Sequence, residues 1–205
     1  MKNLVQINLF MVRIKIPKSF LKVVSLEIGS NCRKAFIIDH VFEKKLLDPL
    51  YSHFKNLKYD FKDSDRPDTR YVKHLVHNFK SQEWKKNNSL PNKIATIARD
   101  FLIKQKIHVG SIQRIYANFN LYGDFQFSHT DGDEWTALFF LNSEWKEDWG
   151  GEFILYDETM DGLGYSIQPK PGRLVIFDGM IPHRGGVPSK LCYDPRISLA
   201  VKFRR

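Results

Sequence analysis

The sequence predicts one mainly β domain in which helices come first and a β-sandwich or barrel follows. Three observations carry that expectation. The 205 residues are 42% hydrophobic and 14% aromatic, enough for one well-packed core and short for two. Two stretches in the first half place apolar residues at helical spacing. From His108 onward that spacing gives way to short β-rich runs separated by Gly and Pro turns, the pattern of a sandwich or barrel.

Residues 1–35 show no turn-bounded pattern and are read as an N-terminal extension with a candidate added strand at Val12–Ile16; the domain proper then spans 36–205. Ala35–Asp39 is a short apolar run suited to a buried strand. Glu43–Leu57 sets Leu46, Leu47, Leu50 and Phe54 on one helical face. A polar turn at Arg66–Thr69 precedes Tyr71–Phe79, a strand or edge loop. Asn92–Gln105 is the second helix, its stripe made by Ile94, Ile97, Ala98, Phe101 and Leu102 after a stop at Pro91. The β core, about 108–205, comprises Gly110–Phe119, Glu134–Leu141, Gly151–Tyr156, Tyr165–Ile167, Arg173–Phe177 and Arg196–Phe203. Its turns fall at Tyr122–Asp124, Asp148–Gly151, Asp161–Gly164, Lys170–Gly172 and Gly185–Ser189.

Composition narrows the function classes. Cys32 and Cys192 are the two cysteines and lie far apart, so neither a disulfide framework nor a thiolate zinc site is indicated; a reducing, cytoplasmic setting is expected. The first twenty residues interleave Gln6, Asn8, Arg13 and Lys15 with apolar positions and lead to no small-residue cleavage site, unlike a signal peptide or a membrane span. A net charge of +9 admits nucleic acid or an acidic partner, but the lysines are scattered over expected helix faces and loops, as on a solvated basic surface. Oligomeric state leaves no mark in the sequence.

The chemistry concentrates in His129-Thr130-Asp131. Residues two apart on extended backbone project to the same face, so one imidazole and one carboxylate can meet a single ion. His183, in I-P-H-R-G-G after the apolar run Leu174–Phe177, can close the site from a distant strand. Two imidazoles and one carboxylate leave coordination positions open, the arrangement of non-haem iron(II) oxygenases rather than of closed structural zinc. Arg196 shares a face with Ser198, Ala200 and Lys202 on the last strand; its planar guanidinium suits a carboxylate such as the distal one of 2-oxoglutarate. Arg184, Lys190 and Lys202 are competing cations, and Arg184, next to a ligand on extended chain, is expected to point away. Asp131, Asp133 and Glu134 lack the loop spacing of a calcium site. Gly162-Leu163-Gly164 reads as a hairpin turn, and Trp145 and Trp149 read as packing anchors.

These residues, with R-I-Y-A-N (Arg114–Asn118), Y-G-D-F-Q-F-S-H-T-D (Tyr122–Asp131), A-L-F-F-L-N (Ala137–Asn142), W-G-G-E (Trp149–Glu152), P-K-P-G-R-L-V-I-F-D (Pro169–Asp178), I-P-H (Ile181–His183) and R-I-S-L-A-V-K-F (Arg196–Phe203), resemble the 2-oxoglutarate- and iron(II)-dependent dioxygenases, in particular the prolyl 4-hydroxylase-like branch. The resemblance spans about Ile112 to Phe203. It implies a double-stranded β-helix (jelly-roll, cupin-like) core with the N-terminal helices packed on one sheet. His129, Asp131 and His183 are implied as iron ligands, and Arg196 as partner of the cosubstrate. Tyr116 best matches an aromatic hydroxyl that relatives carry before the H-x-D, with Tyr122 as the alternative. Asn118, Leu138, Phe140 and Ser198 are expected around the cosubstrate. Arg196 follows His183 by thirteen residues, a little later than in many relatives, and Phe140 stands where some relatives have a hydrogen-bonding tyrosine.

The implied reaction couples decarboxylation of 2-oxoglutarate to succinate and carbon dioxide with hydroxylation of a C–H bond by O2. Ascorbate stands as an optional addition to the Fe(2+), 2-oxoglutarate and O2 set. Retention of Asp131 favours hydroxylation over halogenation. By resemblance the substrate is a prolyl residue of a peptide or protein; a free amino acid or small metabolite is the alternative. Nucleic acid is disfavoured, since a second arginine a few residues after Arg196 is lacking. A non-catalytic β-sandwich binding module is the alternative from another class, and no membrane partner is expected.

Overall fold

The computed structural model describes residues 22–85, 89–159 and 163–205; the candidate strand at Val12–Ile16 and the first half of the Asp161–Gly164 turn lie outside them. The described chain begins with a hairpin, β1 (Val23–Ile28) and β2 (Arg33–Ile38), followed by helix α1 (Lys44–Lys55). Strands β3 (Asp60–Asp63) and β4 (His74–Asn78) lead to a short α2 (Ser81–Trp84) and to α3 (Leu90–Lys104). The remaining strands are β5 (Ile112–Asn120), β6 (Glu134–Phe140), β7 (Phe153–Tyr156), β8 (Gly164–Ile167), β9 (Leu174–Asp178), β10 (His183–Gly185) and β11 (Arg196–Arg204).

Eight strands form one antiparallel sheet in the order β1-β2-β9-β6-β11-β5-β4-β3, and β10-β7-β8 form a second, smaller one. Strand alternation gives the large sheet two different faces. Ile115 and Ala117 of β5, Ala137 and Phe139 of β6, and Leu199, Val201 and Phe203 of β11 pack with Leu50 and Phe54 of α1 and Ile94, Ile97 and Phe101 of α3. Leu138, Phe140, Val175, Phe177 and Ala200 face the opposite way and pack with Phe153, Leu155 and Ile167 of the small sheet. This is the double-stranded β-helix, with the helices on one face of the large sheet, as expected.

Three expectations need correction. The boundary at residue 35 falls inside β2, whose residues 35–38 pair with β9, while β1 pairs with β2 from Val23 to Ile28. The hairpin therefore belongs to the domain; β1 escaped notice because it is an edge strand with exposed Val23 and Val24 and no strict alternation. Second, Pro91 does not precede the helix but sits in its first turn, where a missing N–H costs nothing; Ser89 caps the end by accepting from the Asn92 N–H at 3.4 Å. Third, the Tyr71–Phe79 run is strand only from His74 to Asn78.

Asp39, just past β2, ties that strand to the turn before β9. Arg173 donates to both carboxylate oxygens, Nε to Oδ1 at 2.6 Å and Nη2 to Oδ2 at 2.9 Å. Burial by itself pushes the Asp39 carboxyl up, but the bonds and charge of Arg173 outweigh it and hold the group below its usual 3.8. Asp39→Asn leaves the guanidinium without its anion and is expected to lower the unfolding free energy by about 3 kcal/mol near neutral pH, read by urea titration. Since the folded value lies below the unfolded one, the ion pair's contribution is complete above the unfolded value and vanishes as pH falls through the folded one. The gap between the two proteins should therefore close as pH falls below the ordinary carboxylate range.

Candidate metal centre

A pair of backbone hydrogen bonds builds the centre. The His129 N–H donates to the His183 carbonyl at 3.0 Å and the His183 N–H to the His129 carbonyl at 2.9 Å, an antiparallel bridge between the loop after β5 and the start of β10. Asp131 is fixed next, its N–H donating to Gly179 O at 2.7 Å. A Cβ at Gly179 would lie 2.7 Å from Gly132 O and 2.9 Å from Glu134 O, so a larger residue there would push this loop away. Ligand atoms of His129, Asp131 and His183 then lie within 4.8 Å of one another.

Each imidazole is oriented by its own chain. Nδ1 of His129 bonds Phe127 O at 3.0 Å and Nδ1 of His183 bonds Ile181 O at 2.8 Å. A proton on Nδ1 satisfies these carbonyls and leaves Nε2 with a free lone pair. Those Nε2 atoms lie 3.7 Å and 3.6 Å from Asp131. Burial pushes His183 down to about 4, keeping it neutral. Burial opposes ionisation of Asp131, but His183, Lys202 and Thr136 outweigh it and bring the carboxyl to about 2. Near neutral pH His183 and Asp131 are therefore in the protonation states that bind a metal.

A cavity of about 260 Å³ runs from these ligands to Arg196, lined on the way by Tyr116, Asn118, Leu138, Phe177 and Ser198. Arg196 is buried. Its Nη1 donates to Gly151 O and, at 3.3 Å, to Gly186 O, and Nη2 donates to Asn120 Oδ1 at 3.0 Å. Nε has no partner, and among the described residues no carboxylate pairs with this guanidinium. Burial pulls Arg196 down to about 10, so it remains charged. A buried cation with an idle donor, facing a cavity, is what a carboxylate ligand would satisfy.

Most of the expected residues line this cavity, and two do not. Tyr116 is partly buried and its phenol is pushed up to about 12, chiefly by desolvation; Asn118 donates to Ser198 Oγ at 3.3 Å. Tyr122 lies beyond the end of β5 in a turn closed by the Asp124 N–H on Leu121 O, and its ring is exposed beneath Lys190. Phe140 faces the same way as Leu138 but packs in the core between the sheets, away from the cavity. Arg184 points away as expected, its Nε on Tyr156 Oη at 2.7 Å.

Several contributors were not foreseen. Asp65 accepts from the Phe127 N–H at 2.6 Å and bonds His74 Nε2 at 3.0 Å, bracing the segment that carries His129; nothing in the sequence links residues 62 positions apart. Asn120 carries no motif either, and Gly185 stands in the sequence only as part of the turn after His183. Lys202 was seen only as a competing cation.

Residues 116–204 match the family model described as the 2OG-Fe(II) oxygenase superfamily. Over that stretch the chain is similar to the 2OG-Fe(II) oxygenases. Enzymes of this family use Fe(2+), 2-oxoglutarate and O2, and the centre fits that set: two imidazoles with a carboxylate suit iron(II), and the unpaired Arg196 suits a dicarboxylate. No curated protein matches the chain in sequence. Among solved structures, a prolyl 4-hydroxylase from Pseudomonas putida is 17% identical with a TM-score of 0.64, covering 83% of this chain and 92% of that one. The viral collagen prolyl hydroxylase of Paramecium bursaria Chlorella virus-1, as its 2OG complex, is 17% identical with a TM-score of 0.58 over 83% and 96%. A Trichoplax adhaerens prolyl hydroxylase, in complex with a hypoxia-inducible-factor peptide fragment, is 16% identical with a TM-score of 0.54 over 89% and 82%. At such identities the likeness is one of fold.

Gly185 makes room for Arg196. A Cβ there would collide with the Gln126 amide and come within 2.7 Å of Arg196 Nη2. Gly185→Ala is expected to bind Mn(II) as before but 2-oxoglutarate about tenfold or more weakly, since small displacements of a binding group are costly. Calorimetric titration of the Mn(II)-loaded protein checks this.

Proposed function

We propose that the enzyme hydroxylates a prolyl residue of a peptide or protein, coupled to decarboxylation of 2-oxoglutarate to succinate and carbon dioxide. His129, Asp131 and His183 hold the iron, and Arg196 takes the distal carboxylate of the cosubstrate. The observation that carries this reading is the cavity joining a His-Asp-His cluster to a buried, unpaired guanidinium. When bound, iron(II) and 2-oxoglutarate supply the oxygen activation that side chains cannot.

The protein's own groups bind, orient and exclude water. Asn120 and the Gly151 and Gly186 carbonyls aim Arg196 along the cavity. Tyr116, protonated at neutral pH, offers a hydroxyl donor between the metal ligands and Asn118. Leu138, Phe153 and Phe177 give the cavity its apolar wall.

The lining also supports a substrate whose reacting part is uncharged. Asp63 is paired with Arg114, Asp65 with His74 and Asp131 with Lys202. Arg196 is left for the cosubstrate, so among the described residues lining the cavity the ammonium and carboxylate of a free amino acid find no unpaired opposite charge. A prolyl ring within a chain brings neither. The cavity is at the small end for a ligand site and suits a cosubstrate with one inserted residue. The peptide held by the Trichoplax neighbour agrees with this reading.

Anaerobic addition of iron(II) and 2-oxoglutarate is expected to give the charge-transfer absorption of the chelate, and His129→Ala to abolish it. Arg196→Ala should weaken 2-oxoglutarate on the order of a hundredfold, the scale for loss of a buried charge partner. With oxygen present, proline-containing peptides should gain one oxygen atom as succinate forms. Oxidation of free amino acids in place of peptides overturns the substrate assignment.

A further inference from the structure

Lys202 is a lysine in the interior of β11, on the same inward face as Arg196, Ser198 and Ala200. Its side chain is 13% exposed and its Nζ lies 2.5 Å from Asp131 Oδ1 and 3.3 Å from Glu134 Oε1. The other Asp131 oxygen, Oδ2, accepts from Thr136 Oγ1 at 2.6 Å. Both oxygens of one metal-binding carboxylate are thus engaged, one by a full positive charge. Val201 and Phe203 on the other face of β11 already anchor the strand in the helix-side core, so the fold does not need Lys202 to hold β11 in place. Burying a cation between two carboxylates stabilises a fold little more than apolar packing does, and often less. A cation in this place therefore calls for an explanation beyond folding.

On the basis of the metal assignment above, we propose that Lys202 is a positioning residue that sets the charge of the metal centre, holding Asp131 while disfavouring the bare divalent ion and favouring the anionic cosubstrate that binds beside it. The physical argument is Coulombic. A positive charge within hydrogen-bond distance of a ligand carboxylate repels an incoming dication and weakens the carboxylate's pull on it; in a site of low effective dielectric such terms are large. The same charge attracts the carboxylate and keto oxygens of 2-oxoglutarate. Lys202 and Arg196 then act at opposite ends of one strand face, Arg196 on the distal carboxylate and Lys202 beside the metal.

The proposal has an opposite-sign signature that a purely structural lysine lacks. In Lys202→Met the dissociation constant for Mn(II), read by electron paramagnetic resonance of the free ion, is expected to fall about tenfold, while that for 2-oxoglutarate on the Mn(II)-loaded protein rises about tenfold. Lys202→Arg, which keeps the charge, should leave both close to wild type. Lys202→Gln keeps a donor toward Asp131 without the charge and should behave like the methionine variant, serving in its place should that one not fold. Both constants unchanged, both weakened together, or folding only with Lys or Arg at 202 overturns the proposal. If instead the wild-type protein binds Mn(II) no better than His129→Ala does, the metal assignment itself fails.

Discussion

The antiparallel bridge between His129 and His183 is the contact on which the centre depends. It is two backbone hydrogen bonds long, and neither residue lies in the interior of a long strand. What makes it dependable is the structure on either side. His183 opens β10, which pairs with β7 through Arg184 and Gly185. His129 continues a segment braced by Asp65 on the Phe127 amide and by Arg66 on Ser128 O. The bridge thus sits where the rim of the large sheet meets the edge of the small one, and its register decides that both Nε2 atoms face Asp131. A shift of one residue on either side would turn one imidazole to the opposite face.

The two faces of the large sheet divide the work. On the helix side β5, β6 and β11 present Ala, Ile, Leu, Val and Phe to α1 and α3, and this core holds the strands in register whatever happens opposite. On the inner side the same strands carry Tyr116, Asn118, Thr136, Ser198 and Lys202, residues that would be poor choices for a core. Because side chains alternate, each of these strand residues has apolar neighbours in sequence that anchor it. Ile197, Leu199 and Val201 are fully buried, so Arg196, Ser198 and Lys202 stand on a rigid strand.

That alternation is why so much of the site was legible. Arg196, Ser198, Ala200 and Lys202 can be assigned to one face from spacing of two alone, as can His129 with Asp131. The helices declared themselves through Leu46, Leu50 and Phe54, and through Ile94, Ile97 and Phe101. Less legible were features set by tertiary closure. Asp65, His74 and Asn120 contribute through contacts with distant segments that no local pattern encodes. The Tyr122 and Phe140 assignments failed for related reasons: a turn ends β5 two residues before Tyr122, and the small sheet closes over Phe140. β1 was missed because an exposed edge strand has little reason to alternate.

The two cations of β11 show how one strand can serve two electrostatic purposes. Arg196 and Lys202 are both largely buried, yet their surroundings differ in sign. Lys202 lies between Asp131 and Glu134 and is held above the ordinary lysine value: burial opposes the charge, but Tyr116, Asp131 and Glu134 outweigh it. Arg196 has only neutral acceptors in contact, and burial draws it down to about 10. A lysine at 196 would face the same desolvation from a lower starting value and with a localised charge, and lysine discharges readily when buried. A guanidinium tolerates the missing anion because its charge is delocalised and its remaining donors are met by carbonyls. The choice of arginine at one end and lysine at the other thus follows from which of them must remain ionised before its partner arrives.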